Sequence, residues 1–118
     1  MAVAEAWVHP ERRPPYASTE ELGQSFNFDM LGAGWDAAKV KSIAKYNLGE
    51  AAKQGTSTTW VLSNHDVIRH ATRFGLPNDL NVAQWYGKNR FNAQVDVAKG
   101  LERAKAMTML LLALPGST

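Results

Sequence analysis

The spacing of apolar positions changes along this chain, and each change predicts an element. Met1 to Val8 is almost continuously apolar with one carboxylate, Glu5, inside it, which predicts a strand buried on both faces. His9 to Tyr16 carries three prolines and two arginines and reads as loop. Ser18 with Glu21 has the form of a capping box and predicts a short helix around Glu20 to Leu22, and Phe26-Asn27-Phe28 reads as a second short strand. From Asp36, a suitable N-cap, the residues Ala37, Val40, Ile43, Ala44, Leu48 and Ala51 recur at helical spacing until Gly55 stops the pattern. Thr58 to Ser63 is short, β-branched and aromatic, which predicts a third strand with Asn64-His65-Asp66 at its C-terminal end. Leu76 to Phe91 contains Pro77, Gly87 and several Asn and Asp residues and reads as a long loop of the kind that carries function, with Trp85 and Tyr86 in its middle. A last helix runs from about Asn92 or Asp96 to Ala113, with Val97, Leu101, Ala104, Thr108, Leu111 and Leu112 near one face and Pro115-Gly116 ending it.

Strands alternating with helices predict an α/β fold built of parallel units, in which polar residues at the C-terminal strand ends form the site. Glu5 and Asp66 occupy such positions. With 118 residues, 45% of them hydrophobic, the chain supports one modest core, so residues 1–118 are read as a single domain or part of one. Cysteine is absent, which excludes disulfides and thiolate metal sites and fits a reducing compartment, the cytoplasm by expectation. No apolar stretch approaches the roughly 18 residues of a membrane span, and the first residues lack the basic and apolar regions of a signal peptide. The 13 basic and 11 acidic residues are too scattered to form a phosphate-binding stripe, so neither nucleic acid nor membrane is an expected partner.

Two carboxylates at strand ends fit glycoside hydrolysis, which needs an acid to protonate the leaving oxygen and a carboxylate to stabilise positive charge at the anomeric carbon. A glutamate inside an apolar strand would be desolvated and its pKa raised, as a general acid requires; an ion pair with a basic residue is the alternative. His65 beside Asp66 offers a donor and an acceptor to sugar hydroxyls, whereas a His-Asp turn cap is the plainer reading. His9, His65 and His70 show no ligand-like spacing with a carboxylate on one helix face, so no metal and no cofactor is expected.

Thr59-Trp60-Val61-Leu62-Ser63-Asn64-His65-Asp66 followed by Arg69 resembles the fourth signature region of the alpha-amylase family of glycoside hydrolases. Arg73-Phe74-Gly75 is similar to the segment that follows it in the alpha-glucosidase and oligo-1,6-glucosidase branch. Ala4-Glu5-Ala6-Trp7 resembles the third region, with Ala4 where glycine is frequent, and Phe26-Asn27-Phe28-Asp29 and Leu114-Pro115-Gly116-Ser117-Thr118 resemble the next strand and the approach to the eighth. The resemblance implies the C-terminal half of a (β/α)8 TIM barrel, from the fifth strand to the entrance of the eighth. It implies Glu5 as general acid/base and Asp66 as the aspartate that binds sugar hydroxyls and stabilises the transition state. His65 and Asn64 would bind the same sugar, Arg69 and Arg73 would orient the carboxylates or line the pocket, and Phe26, Trp85 and Tyr86 would offer apolar platforms.

The family's nucleophile is an aspartate in a Gly-Phe-Arg-Xaa-Asp-like segment of the fourth strand, and no such segment occurs in this sequence. The resemblance therefore implies a fragment of a retaining alpha-glucosidase that acts on an alpha-glucoside oligosaccharide such as maltose or isomaltose, inactive until the missing N-terminal half of the barrel joins it. Two alternatives stay open: a trehalose synthase or other maltose-acting transglycosylase, and a non-catalytic barrel relative serving as an interaction or transport subunit.

Overall fold

The computed structural model describes residues 2–18, 20–78, 80 and 94–118. Three parallel strands, β1 (Ala2–Ala4), β2 (Gly23–Asn27) and β3 (Thr59–Trp60), form one sheet in sequential order. Four helices accompany them among the described residues: α1 (Pro14–Ala17), α2 (Ala37–Gln54), α3 (His70–Gly75) and α4 (Val97–Ala113). Parallel neighbours require a crossover, and α1 and α2 supply it between β1 and β2 and between β2 and β3. β2 pairs with β1 through Gly23 to Ser25 and with β3 through Phe26 and Asn27. On the far side of β3, Thr59 forms a parallel bridge with Ser117. The Ser117 N–H donates to Thr58 O at 2.9 Å and the Trp60 N–H to Ser117 O at 2.7 Å, so the chain after α4 returns to the sheet edge. The fold is thus mixed helix and strand around a small parallel sheet, as the α/β expectation requires at that level.

Local signals set most helix ends. The Asp36 carboxylate accepts from the N–H groups of Ala38 and Lys39 and starts α2. Gly55 ends it in the left-handed region (φ 63°), with the Thr56 N–H returning to Ala51 O at 3.0 Å. Asp96 caps α4 through the Lys99 N–H at 3.0 Å, which settles its start in favour of the later of the two expected positions.

Several expectations fail. Residues 20–22 form a turn and not a helix, because Ser18 spends its hydroxyl on Pro15 O and closes the preceding helix. That helix, α1, lies in the segment read as loop: Pro14 and Pro15 sit at its first positions, where a missing N–H costs nothing. β1 is not buried on both faces: of its three residues only Ala4 is buried, because nothing among the described residues covers Ala2 and Val3. The buried face of α4 is Gly100, Ala104, Met107 and Leu111, while Val97, Leu101 and Leu112 are exposed. Gly100 selects that face: a Cβ there would collide with Ala71 O of α3, so only glycine lets the two helices touch. The expected loop with Trp85 and Tyr86 lies outside the described residues, apart from Leu76 to Asn78 and Leu80.

The core sits between β3 and the helices, with Met30, Ala33, Val40, Trp60, Phe74, Ala104, Met107 and Leu111 in one cluster. Trp60 satisfies its indole N–H on Pro115 O at 2.9 Å, which fixes the sheet edge to the end of α4.

Candidate functional site

Glu5 directly follows β1, and Asn64-His65-Asp66 lies in the loop that leaves β3. The ladder of β3 ends at Trp60, so this run stands beyond the strand in a turn rather than at its last residue. The fold nevertheless gathers residues far apart in sequence: one donor atom each of Glu5, His65 and Asp66 lies within 4.8 Å of the others. His65 Nε2 is 3.3 Å from Asp66 Oδ1. All three side chains are exposed. The buried, desolvated glutamate expected from the sequence is therefore not found: Glu5 lies outside the strand, and no second wall covers it among the described residues.

Asn64 shapes the turn. Its Oδ1 accepts the Asp66 N–H at 3.0 Å, an Asx turn that fixes the aspartate's backbone. Its Nδ2 is buried and has no partner among the described residues. Arg69, at the N-cap of α3, is exposed and forms no ion pair among the described residues.

Arg73 departs from its expected role. It is 3% exposed and points into the core, where its guanidinium donates to the carbonyls of Ala33 (3.1 Å), Ile68 (3.2 Å), Met30 (3.3 Å) and Leu62 (3.1 Å). It also lies 5.0 Å from the centroid of Phe74. Burial pulls its pKa down to about 10, which leaves it charged at neutral pH. Arg73 neither touches the carboxylates nor lines their surroundings; it ties the loop after β3 to the turn after β2.

Phe26 on β2 is half-buried, 5.9 Å from Phe28, whose ring lies 4.5 Å from that of Trp7. Trp7 is 61% exposed, two residues beyond Glu5, and belongs to the Ala4-Glu5-Ala6-Trp7 run although no role was assigned to it. Trp7 and Phe28 line a cavity of about 220 Å³ together with Ala6, Val8, Arg13 and Asp29. Apolar rings beside carboxylates suit a sugar, whose ring faces are apolar and whose edges are polar. Beneath this cavity, Arg13 Nη2 meets Asp29 Oδ1 at 2.6 Å, and Asn47 Nδ2 donates to Asp29 Oδ2 at 2.8 Å. Burial pushes the Asp29 pKa up, but hydrogen bonds from Arg13 and Asn47 and the Arg13 charge outweigh it, so the carboxyl is held below its ordinary value. The pairing was hidden in sequence because Asn47 sits on the apolar face of α2 and Arg13 in a proline-rich segment.

The Glu5, His65 and Asp66 donors also approach the disposition of ligands to a divalent cation, which sequence spacing did not suggest, although exposed acidic groups gather in this way without one. A larger cavity, about 570 Å³, lies elsewhere, between α2 and α4, and none of these residues lines it. In comparisons with known proteins, no family model matches this chain and no curated protein matches it.

Proposed function

We propose that this chain is the part of a retaining alpha-glucosidase barrel that carries the general acid/base and the transition-state-stabilising aspartate. The observation that carries the reading is the approach of Glu5, His65 and Asp66 to within 4.8 Å from two different strand ends of one parallel sheet. Such convergence at C-terminal strand ends is where α/β folds build their sites. The parallel return of Ser117 beside Thr59 supports a sheet that continues toward a barrel.

In this reading Glu5 protonates the glycosidic oxygen and later takes a proton from water. Asp66 and His65 hold hydroxyls of the ring that develops positive charge, and Trp7 and Phe28 offer it an apolar face. Covalent capture of glucose falls to an aspartate that this chain lacks, so turnover of maltose or isomaltose requires the other half of the barrel. Closure of that barrel would also supply the burial that a general acid needs and that Glu5 lacks here.

The test is activity of a longer polypeptide that contains this chain. Glu5→Gln and Asp66→Asn should each lower kcat on a chromogenic alpha-glucoside by at least about a hundredfold, since acid–base catalysis alone contributes ~10²–10⁴-fold. Full activity in Glu5→Gln would remove the reading. Products from maltose separate the nearest rival: glucose alone indicates hydrolysis, trehalose an isomerase.

A further inference from the structure

The loop that presents His65 and Asp66 is closed at its base by a contact that the reading above does not use. Ser63 Oγ accepts the His70 backbone N–H at 2.9 Å and lies 2.8 Å from His70 Nδ1, so one hydroxyl binds both the backbone and the ring of a residue seven positions on. The hydroxyl oxygen keeps a second lone pair, so the ring bond forms with Ser63 donating to an unprotonated Nδ1 or with Nδ1–H donating to Ser63, according to the tautomer. Arg73 brackets the same loop from below through Leu62 O and Ile68 O. Between these ties lie Asn64, His65 and Asp66, with the Asx turn at Asn64 fixing the Asp66 N–H.

We propose that Ser63 and His70 are positioning residues: their clasp holds the loop at the height where Asp66 meets Glu5. The inference rests on the glycosidase reading for its functional meaning and on the hydrogen bonds alone for its geometry.

The surroundings of His70 favour the neutral ring. Arg73 and Arg69 from α3 and its N-cap act on it with like charge, and Trp60 and Leu62 from the β3 segment, Thr108, Leu111 and Leu112 from α4, and Thr118 share a cavity with it. Burial first, then the two arginines, holds its pKa below the ordinary histidine value.

The experiment uses the full chain. Ser63→Ala should speed hydrogen exchange of the Asn64 to Arg69 amides by roughly tenfold, the effect of losing one or two ordinary hydrogen bonds, with α2 unchanged. Ser63→Thr, which keeps the hydroxyl, should restore the rate. An unchanged loop in Ser63→Ala, or equal loosening of α2, would overturn the positioning role. None of these readouts depends on sugar chemistry, so an inactive longer polypeptide would defeat the glycosidase reading and leave the clasp standing.

Discussion

Two arginines and an aspartate show how differently single residues in this chain can be read from sequence and from structure. Glu5, His65 and Asp66 were legible because their types and strand-end positions carry the chemistry, and the fold does bring them together. Arg73 was not, because nothing in a sequence tells which carbonyls will surround a side chain; its four acceptors come from two separate segments. Arg73→Met should cost about 3 kcal/mol of stability, since truncation strands several buried carbonyls at once. Urea denaturation checks this, and a loss below about 1 kcal/mol would mean that water replaces the guanidinium without penalty. Asp29 makes a pH prediction. Its folded pKa lies below the unfolded value of 3.8, so the stability from Arg13 and Asn47 is fully present above that value and is lost as pH falls through the lower folded pKa. Asp29→Asn should flatten the acid limb of the stability profile below pH about 4. An unchanged acid limb would show that other carboxylates govern it.

Elements were legible wherever a local interaction decides them. Asp36, Gly55 and Asp96 cap their helices as side chains of those types do in any context. The buried face of α4 was legible only in part, at Ala104 and Leu111 but not at Gly100 and Met107, because the apolar residues of this helix surround it, and the choice among them falls to a glycine. Gly100 and Gly49 are both helical, yet they should respond oppositely to alanine. A Cβ at Gly49 meets nothing within 4 Å, so Gly49→Ala should stabilise by about 0.5–1 kcal/mol through helix propensity. At Gly100 the Cβ collides with Ala71 O and approaches the Gly75 backbone, so the same propensity gain is overridden by forcing α3 off α4. Gly100→Ala should lose about 1–3 kcal/mol, the range for overpacking. Thermal melts of the two variants decide it: shifts of equal sign would show that α3 and α4 move apart without cost.

At the scale of the whole molecule, the exposed apolar surface is the feature that sequence periodicity could not reveal, because it depends on which helix face finds a partner. On α4, Met109 is 71% exposed, Leu112 67% and Val97 66%, and Leu101 joins them, while β1 leaves one edge of the sheet unpaired among the described residues. Scattered apolar residues are ordinary on a protein surface, but several on one helix beside an open strand edge favour association. Under the proposed reading, the rest of a barrel would cover part of this surface. The isolated chain should therefore associate as its concentration rises, and its sedimentation coefficient should increase over the micromolar range. Met109→Lys with Leu112→Glu should weaken that association, because both side chains already lie open and charging them removes apolar surface without touching the core. Glu5→Gln, which alters no apolar surface, should leave it unchanged. Under the same reading, this preparation should show no turnover of a chromogenic alpha-glucoside, because the aspartate that would attack the sugar belongs to the other half of the barrel. Turnover abolished by Glu5→Gln would require a nucleophile within these residues. A monomer at every concentration would instead mean that α4 tolerates water over its whole apolar side, and that the chain is stable without the half that the proposed function demands.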